Sequence, residues 1–309
     1  MKVKYAILIC ALGAAILECG CSGVSNSGVS SDPTTASGSK FDHVFIVIEE
    51  NHSYNAVIGN SAMPYLNSLA SANGLATQYF ANTHPSLPNY FMLTAGATIA
   101  VDDGFTGIVT QDNVVSALTA AGKTWKCYAE ALPSVGYLGG DVYPYAHHHI
   151  PFVYFSDVQN SSTQANNIVP VTQLATDISN NSLPDYAFIV PDLNNDAHDC
   201  PPGMSTCTDT QVLANADQWL AAQFKPLVAS SGFQQSLLII TFDEGFAADI
   251  AHGGGQVATV IVSPLAKAGY QSTTLYQHES ALRLMLEGLG VTDLPGAAAT
   301  APDMNEFFK

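Results

Sequence analysis

Val44-Phe45-Ile46-Val47-Ile48 runs directly into Glu49-Glu50-Asn51-His52. Five apolar residues without alternation suit a strand covered on both faces, as in a parallel sheet. The arrangement recurs. Residues 186–190 lead into Pro191-Asp192-Leu193-Asn194-Asn195-Asp196-Ala197-His198-Asp199, and residues 237–241 lead into Phe242-Asp243-Glu244-Gly245. A fourth apolar run, 257–262, follows His252-Gly253-Gly254-Gly255. Helical spacing lies between these runs, at Val212, Leu213, Ala216, Trp219, Leu220, Leu227 and Val228, and again at Leu282, Met285, Leu286 and Leu289. Strands alternating with helices predict an α/β fold: a mostly parallel central sheet with helices on both faces.

In open α/β sheets, ligands bind at the carboxyl ends of the strands. The carboxylates that follow these strands therefore converge on one edge. Uncompensated, they repel one another and hold on to their protons. A divalent cation resolves this, which makes Glu50, Asn51, Asp192, Asp196, Asp243 and Glu244 candidate metal ligands. One such cluster is ordinary strand-end polarity; the repetition in a charge-poor chain points to a metal. Oxygen ligands fit calcium, magnesium or manganese, and histidine participation admits zinc. In Thr83-His84-Pro85-Ser86-Leu87-Pro88-Asn89-Tyr90, prolines flank Ser86. A rigid turn presenting a single hydroxyl suits a nucleophile. His84 is read here only as packing beside it.

Composition narrows the class further. Charged residues are 11% of the 309, against roughly 25% in an average soluble protein. Nine Lys and Arg oppose 26 Asp and Glu, for a formal charge of −17. Arg283 is the sole arginine, so a nucleic-acid partner is excluded on charge. Apolar residues at 47% exclude an acidic disordered chain. Lys2 and Lys4 precede the apolar stretch 6–16, which reads as an export signal over residues 1–21. Cys21 after Gly20 suits lipidation, with simple cleavage and release as the alternative. Residues 22–40, rich in Ser, Gly and Thr, read as a flexible tether, leaving 41–309 as one catalytic domain. Localisation would then be periplasmic, at the cell surface as a lipoprotein, or secreted. Export permits disulfides, and Cys200 and Cys207 bracket Pro201-Pro202-Gly203, which predicts that pairing.

Together these residues resemble a family: the bacterial phosphoesterases that include secreted acid phosphatases and non-haemolytic phospholipases C, within the alkaline-phosphatase superfamily. The resemblance rests on Glu50-Asn51-His52-Ser53-Tyr54, Pro85-Ser86-Leu87-Pro88-Asn89-Tyr90, Asp192 through His198, Phe242-Asp243-Glu244-Gly245 and His278. It implies that Glu50, Asn51, Asp243 and Glu244 hold a metal and that Ser86 forms a phosphoserine. It also implies that Asn89 contacts a phosphoryl oxygen. Asp192, Asp196 and His198 lie where superfamily members build a second metal site. His198 and His278 are the first candidates for protonating the leaving alcohol. His149, His252 and Lys126 are candidate substrate contacts.

The resulting expectation is an exported, metal-dependent phosphomonoesterase of the acid phosphatase type. Its substrate would be a phosphate-ester small molecule or a phospholipid headgroup. A phospholipase C-type diesterase is the enzymatic alternative, and a non-catalytic surface lipoprotein is the alternative of another class. Removing residues 1–21 leaves seven basic against 25 acidic residues, a charge of −18. Positive charge for a phosphate must then come from metal and protonated histidine.

Overall fold

The computed structural model describes residues 39–309. The signal segment, Cys21 and all but the end of the tether lie outside the described residues. At that end, Ser39 Oγ donates to the Leu289 carbonyl at 2.8 Å, and the Lys40 amide donates to the Gly288 carbonyl at 2.8 Å.

The strands, in chain order, are β1 (His43–Glu49), β2 (Gly74–Ala76), β3 (Tyr79–Phe80), β4 (Trp125–Ala129), β5 (Ile168–Pro170), β6 (Tyr186–Val190), β7 (Ser236–Phe242), β8 (Thr259–Val262), β9 (Tyr270–Ser272) and β10 (Tyr276–Gln277). Eight form one sheet in the order β5-β4-β6-β1-β7-β8-β2-β9; β3 and β10 pair separately. Strands β5, at the sheet edge, and β4, β6, β1 and β7 are all parallel, and every side chain of β6 and β7 is buried. That double-sided burial is why these strands read as unbroken apolar runs. Trp125–Ala129 is a complete inner strand between β5 and β6.

The last apolar run departs from the parallel pattern. β8 is antiparallel to both β7 and β2. No helix separates β7 from β8, so the chain turns back without the crossover that parallel pairing requires.

The longer helices are α1 (Pro64–Ala72), α2 (Ser86–Ala95), α3 (Val114–Ala120), α4 (Thr172–Asn180), α5 (Asp209–Ala229) and α6 (His278–Gly288). They pack in separate groups: α1 and α4 contact α5, while α2 contacts α6. α5 starts at a reciprocal cap, in which Thr208 and Gln211 satisfy each other's backbone amides. α1 has no cap of its own; Asp217 from α5 accepts the amides of Tyr65 and Leu66 at 2.9 and 2.8 Å. No helix among the described residues is long and apolar enough to cross a membrane.

Ser86 corrects the sequence reading: it is not in a rigid turn but is the first residue of α2, with extended Pro85 as its N-cap. Pro88 falls within the first turn, where helix amides have no intrahelical partner and proline is tolerated. The chain's C-terminal end is fastened by Glu306, which accepts from the hydroxyls of Ser272, Tyr276 and Tyr270. Burial alone would raise its carboxyl pKa, but these donors bring it down to about 2 from an ordinary 4.5. A depressed acid contributes stability above its unfolded pKa and loses it as pH falls through the folded one. Glu306→Gln should therefore lower the melting temperature at pH 7, with the gap to wild type closing between pH 4.5 and about 2. A gap that does not change with pH would exclude this anchoring role.

Candidate active site

The parallel pairing of β1 with β6 and β7 brings their carboxyl ends to one edge. Glu50 follows β1, Asp192 and Asp196 follow β6, and Asp243 and Glu244 follow β7. Backbone bonds lock these segments together: the Glu50 amide donates to the Asp196 carbonyl at 2.7 Å, and the Asp243 amide to the Glu49 carbonyl at 2.9 Å. Glu50 and Asp243 have no solvent exposure, and Asp196 has 1%.

Glu50 lies at the centre. Its Oε2 accepts from Ser86 Oγ at 3.0 Å and from the Asn51 side-chain amide at 2.8 Å. Its Oε1 accepts from the Tyr90 hydroxyl at 2.6 Å. Ser86 and Tyr90 are four residues apart in α2 and so share one helix face. Asp243 Oδ1 accepts the backbone amides of Asn51 and Glu244 at 3.0 and 2.6 Å, while Oδ2 is buried without a partner. Asn51 reaches this bond from a left-handed backbone, φ 57°, a region asparagine tolerates better than most residues.

Burial first, and then the neighbouring carboxylates Asp243 and Asp196, hold Glu50 well above the usual carboxyl range. Burial raises Asp243 to about 6, despite the bonds that oppose the shift. Burial and then Asp243 raise Glu244 to about 8. Asp196 is likewise held high by burial. The cluster therefore retains protons that isolated carboxylates would release.

Histidines flank the cluster. His149 is buried, with Nε2 3.4 Å from Glu50 Oε1 and Nδ1 3.7 Å from Asp196 Oδ2. Its ring stacks on Tyr90 at 5.2 Å and 11°. Burial depresses its pKa well below the usual value. His84 Nε2 donates to the Asp249 carbonyl at 2.9 Å, and Nδ1 faces Glu244 Oε1 at 3.1 Å. A carbonyl only accepts, so Nε2 carries a hydrogen. A proton on either Nδ1 or Glu244 then completes the pair. Burial opposes a charged His84, but the bonds to Asp249 and Glu244 outweigh it and raise its pKa.

Other sequence candidates take different places. His278 is fully buried; Nε2 donates to the Asp243 carbonyl at 2.6 Å, leaving Nδ1 to accept from the Tyr79 hydroxyl at 3.2 Å. Burial lowers its pKa to about 4. It is a neutral strut behind Asp243, with no nitrogen left to protonate a leaving group. Asn89 is also fully buried. Its carbonyl accepts the amides of Asn82 and Thr83, and its amide group donates to Thr83 O, Pro85 O and Glu244. These bonds fix the turn ahead of Ser86 and occupy the group expected to meet a phosphoryl oxygen.

Lys126 is three residues short of the carboxyl end of β4 and pairs with Asp177 at 2.5 Å, away from the cluster. His252 is exposed and its ring lies tilted against that of Phe80, centroids 4.2 Å apart at 51°. The glycines after it are closely packed: a Cβ on Gly254 would come within 2.3 Å of the Thr83 carbonyl. His198 is half exposed, Nδ1 2.9 Å from Asp199, with its backbone amide on Asp196 Oδ1 at 2.9 Å. Asp192 Oδ1 accepts from the Asn194 amide at 3.0 Å and the Asn195 side chain at 3.3 Å. Cys200 and Cys207 are disulfide-bonded in the loop after His198, and Cys127 is free and buried.

Tyr90, His84 and Glu49 are the additions that sequence reasoning missed. Reading 86–95 as a helix would have found Tyr90, one turn from Ser86. Glu49 is fully buried with neither carboxyl oxygen partnered, and burial holds its pKa well above the usual range.

Residues 59–292 match the Phosphoesterase family. The chain belongs to this family. It is 32% identical over 270 residues to a phosphatidylinositol-3-phosphatase of Mycobacterium tuberculosis, covering 87% of this chain and 83% of that protein. It is 30% identical over 255 residues to a probable acid phosphatase of Kluyveromyces lactis, covering 79% of this chain and 57% of that protein. The chain thus spans little more than half of that fungal relative. Among solved structures, an alkaline phosphatase superfamily protein from Vibrio parahaemolyticus matches with TM-score 0.59 and 13% identity, covering 88% of this chain and 73% of that one. A phosphonate monoester hydrolase of Agrobacterium radiobacter matches with TM-score 0.56 and 13% identity, covering 85% and 78%. These structures share the fold. This phosphoesterase is a hydrolase of phosphoric ester bonds.

Alkaline phosphatase superfamily proteins are generally metal-dependent. Among the described residues, no three of His, Cys, Asp or Glu already surround one point as ligands. The donor set nevertheless fits a hard cation: Glu50, Asn51, Asp243 and Glu244 offer oxygens, Asp243 Oδ2 is orphaned, and among the described residues no Lys or Arg pairs with these acids.

In this phosphoesterase the Tyr90 hydroxyl is one of the neutral donors that hold Glu50 in place. Tyr90→Phe should cost about 1–3 kcal/mol in denaturant unfolding, the usual penalty for an orphaned buried acceptor. Unchanged stability would show that the bond contributes nothing.

Proposed function

We propose that this phosphoesterase is a metal-dependent phosphomonoesterase working through a phosphoserine on Ser86. One observation carries the reading. Ser86 Oγ, at the N-terminus of α2, donates at 3.0 Å to a carboxyl group buried among other acids. A helix N-terminus favours a phosphate, and Glu50, once ionised by a bound cation, would take the Ser86 proton as Oγ attacks phosphorus. As the P–Oγ bond forms, the ester P–O bond breaks and the alcohol leaves with a proton. His198, oriented by Asp199 and half exposed at the rim, is the donor the geometry favours over buried His278. Water then attacks phosphoserine, returning phosphate and Ser86. A bound cation, held by Glu50, Asn51, Asp243 and Glu244, would supply positive charge to the phosphoryl oxygens. Asn89 and His278 act by holding the Ser86 turn and the Asp243 backbone.

The acid phosphatase and phosphatidylinositol-3-phosphatase relatives support monoester over diester chemistry. The Cys200–Cys207 disulfide supports an oxidising compartment, in keeping with export.

The test is hydrolysis of an aryl phosphate monoester beside the bis-aryl diester. Wild type should prefer the monoester, and Ser86→Ala should lose at least ~10³-fold, the scale of nucleophile removal. Ser86 in quenched wild type should carry the phosphate. Equal rates for wild type and Ser86→Ala would refute the nucleophile; a diester preference would favour the phospholipase C-type alternative.

A further inference from the structure

A cleft of about 420 Å³ is lined by neighbours of the catalytic cluster rather than by the cluster itself. That is within the ~300–1,000 Å³ range of small-molecule sites. Both of its walls are one residue from catalytic groups. Asp103, on one wall, accepts the amide of Leu87 at 2.9 Å, next to Ser86. His148, on the other, has its ring 4.4 Å from that of His149, which abuts Glu50.

The lining is distinctive. Phe105, half-buried, offers a flat apolar surface and is braced by Phe91 and Tyr154 at 5.8 and 5.7 Å. Asp141 has a side chain 64% exposed; it accepts the His147 amide at 2.7 Å and lies 3.6 Å from His148 Nδ1. No Lys or Arg lines the cleft.

Carboxylates accept hydrogen bonds and imidazoles can donate or accept them, while an aromatic face packs against C–H groups. That combination matches an alcohol bearing several hydroxyls on a compact ring. A second phosphate seated between Asp103 and Asp141 would be repelled, so a lipid headgroup would keep its diester phosphate outside the cleft. An alkyl chain would desolvate both carboxylates without pairing them.

We propose that this cleft is the leaving-group subsite, shaped for the polyhydroxylated alcohol of a sugar or cyclitol monophosphate. The proposal rests on the phosphomonoesterase reading. The ester could be free in solution or the headgroup of a lipid, since both present the same hydroxyl chemistry.

The test compares kcat/KM for a hexose 6-phosphate, a free cyclitol monophosphate, the same headgroup in phospholipid vesicles, and propyl phosphate. Two variants accompany wild type. Asp141→Asn keeps an acceptor for the His147 amide but removes the charge. Gly140→Tyr fills the cleft: a Cβ there meets nothing within 4 Å. Wild type should prefer at least one polyol ester over propyl phosphate by tenfold or more, the scale of a lost charged hydrogen bond. Both variants should erase that preference while changing propyl phosphate turnover less than about twofold. The faster of the free and vesicle arms identifies the source of the substrate. No preference, a preference surviving both variants, or parallel loss on all substrates would overturn the subsite. Failure of wild type to hydrolyse any monoester, aryl phosphate included, would overturn the parent reading as well.

Discussion

The site depends on the crowding of acids at one sheet edge, with no Lys or Arg among the described residues paired to them. Parallel pairing of β1 with β6 and β7 leaves no choice about where Glu50, Asp196 and Asp243 end up. Each is buried, and each is pushed above its ordinary pKa first by that burial. Lys126, the one basic residue that the sequence brought near a candidate substrate segment, is committed to Asp177. What holds Glu50 among these acids is a set of neutral donors, the Asn51 amide, the Tyr90 hydroxyl and the Ser86 hydroxyl, with His149 packed between Glu50 and Asp196. Ser86 is therefore both a support of the cluster and the group best placed to react within it.

Around this centre the fold supplies rigidity. His278 pins the Asp243 carbonyl, Asn89 ties the turn before Ser86, and the Gly253–Gly254 backbone lies against Asn82 and Thr83 too closely for any side chain. The proposed nucleophile, held this way, would need little reorganisation to meet a phosphorus atom. The groups are also economical in charge, which suits a protein whose acids already outnumber its bases nearly threefold.

What the sequence revealed followed from what is local. A buried parallel strand must be continuously apolar, and its carboxyl end must carry whatever polar groups the site needs, so the ends of β1, β6 and β7 were readable. Three-dimensional partnerships were not. Reading prolines around Ser86 as a turn hid α2, and with it the helical spacing that joins Ser86 to Tyr90. His278 has the residue type of an acid catalyst, yet its surroundings, a carbonyl on one nitrogen and a hydroxyl on the other, make it a strut. The reversed direction of β8 depended on a missing crossover helix, which a single apolar run cannot disclose. The cleft beside His148 is assembled from residues 103–106, 138–141 and 147–159, segments without a shared motif.

Cation binding by the chelator-treated protein is the most direct test of this account, measured by calorimetry in buffers of differing ionisation enthalpy. Wild type should take up a divalent cation stoichiometrically and release protons, because the acids that would bind it hold protons when metal-free. Asp243→Asn and Glu50→Gln should lose that uptake while keeping the wild-type circular dichroism. Binding that persists unchanged in both variants, or a wild-type protein that binds no cation at all, would contradict the claim that the acids at this edge are built to be neutralised by one.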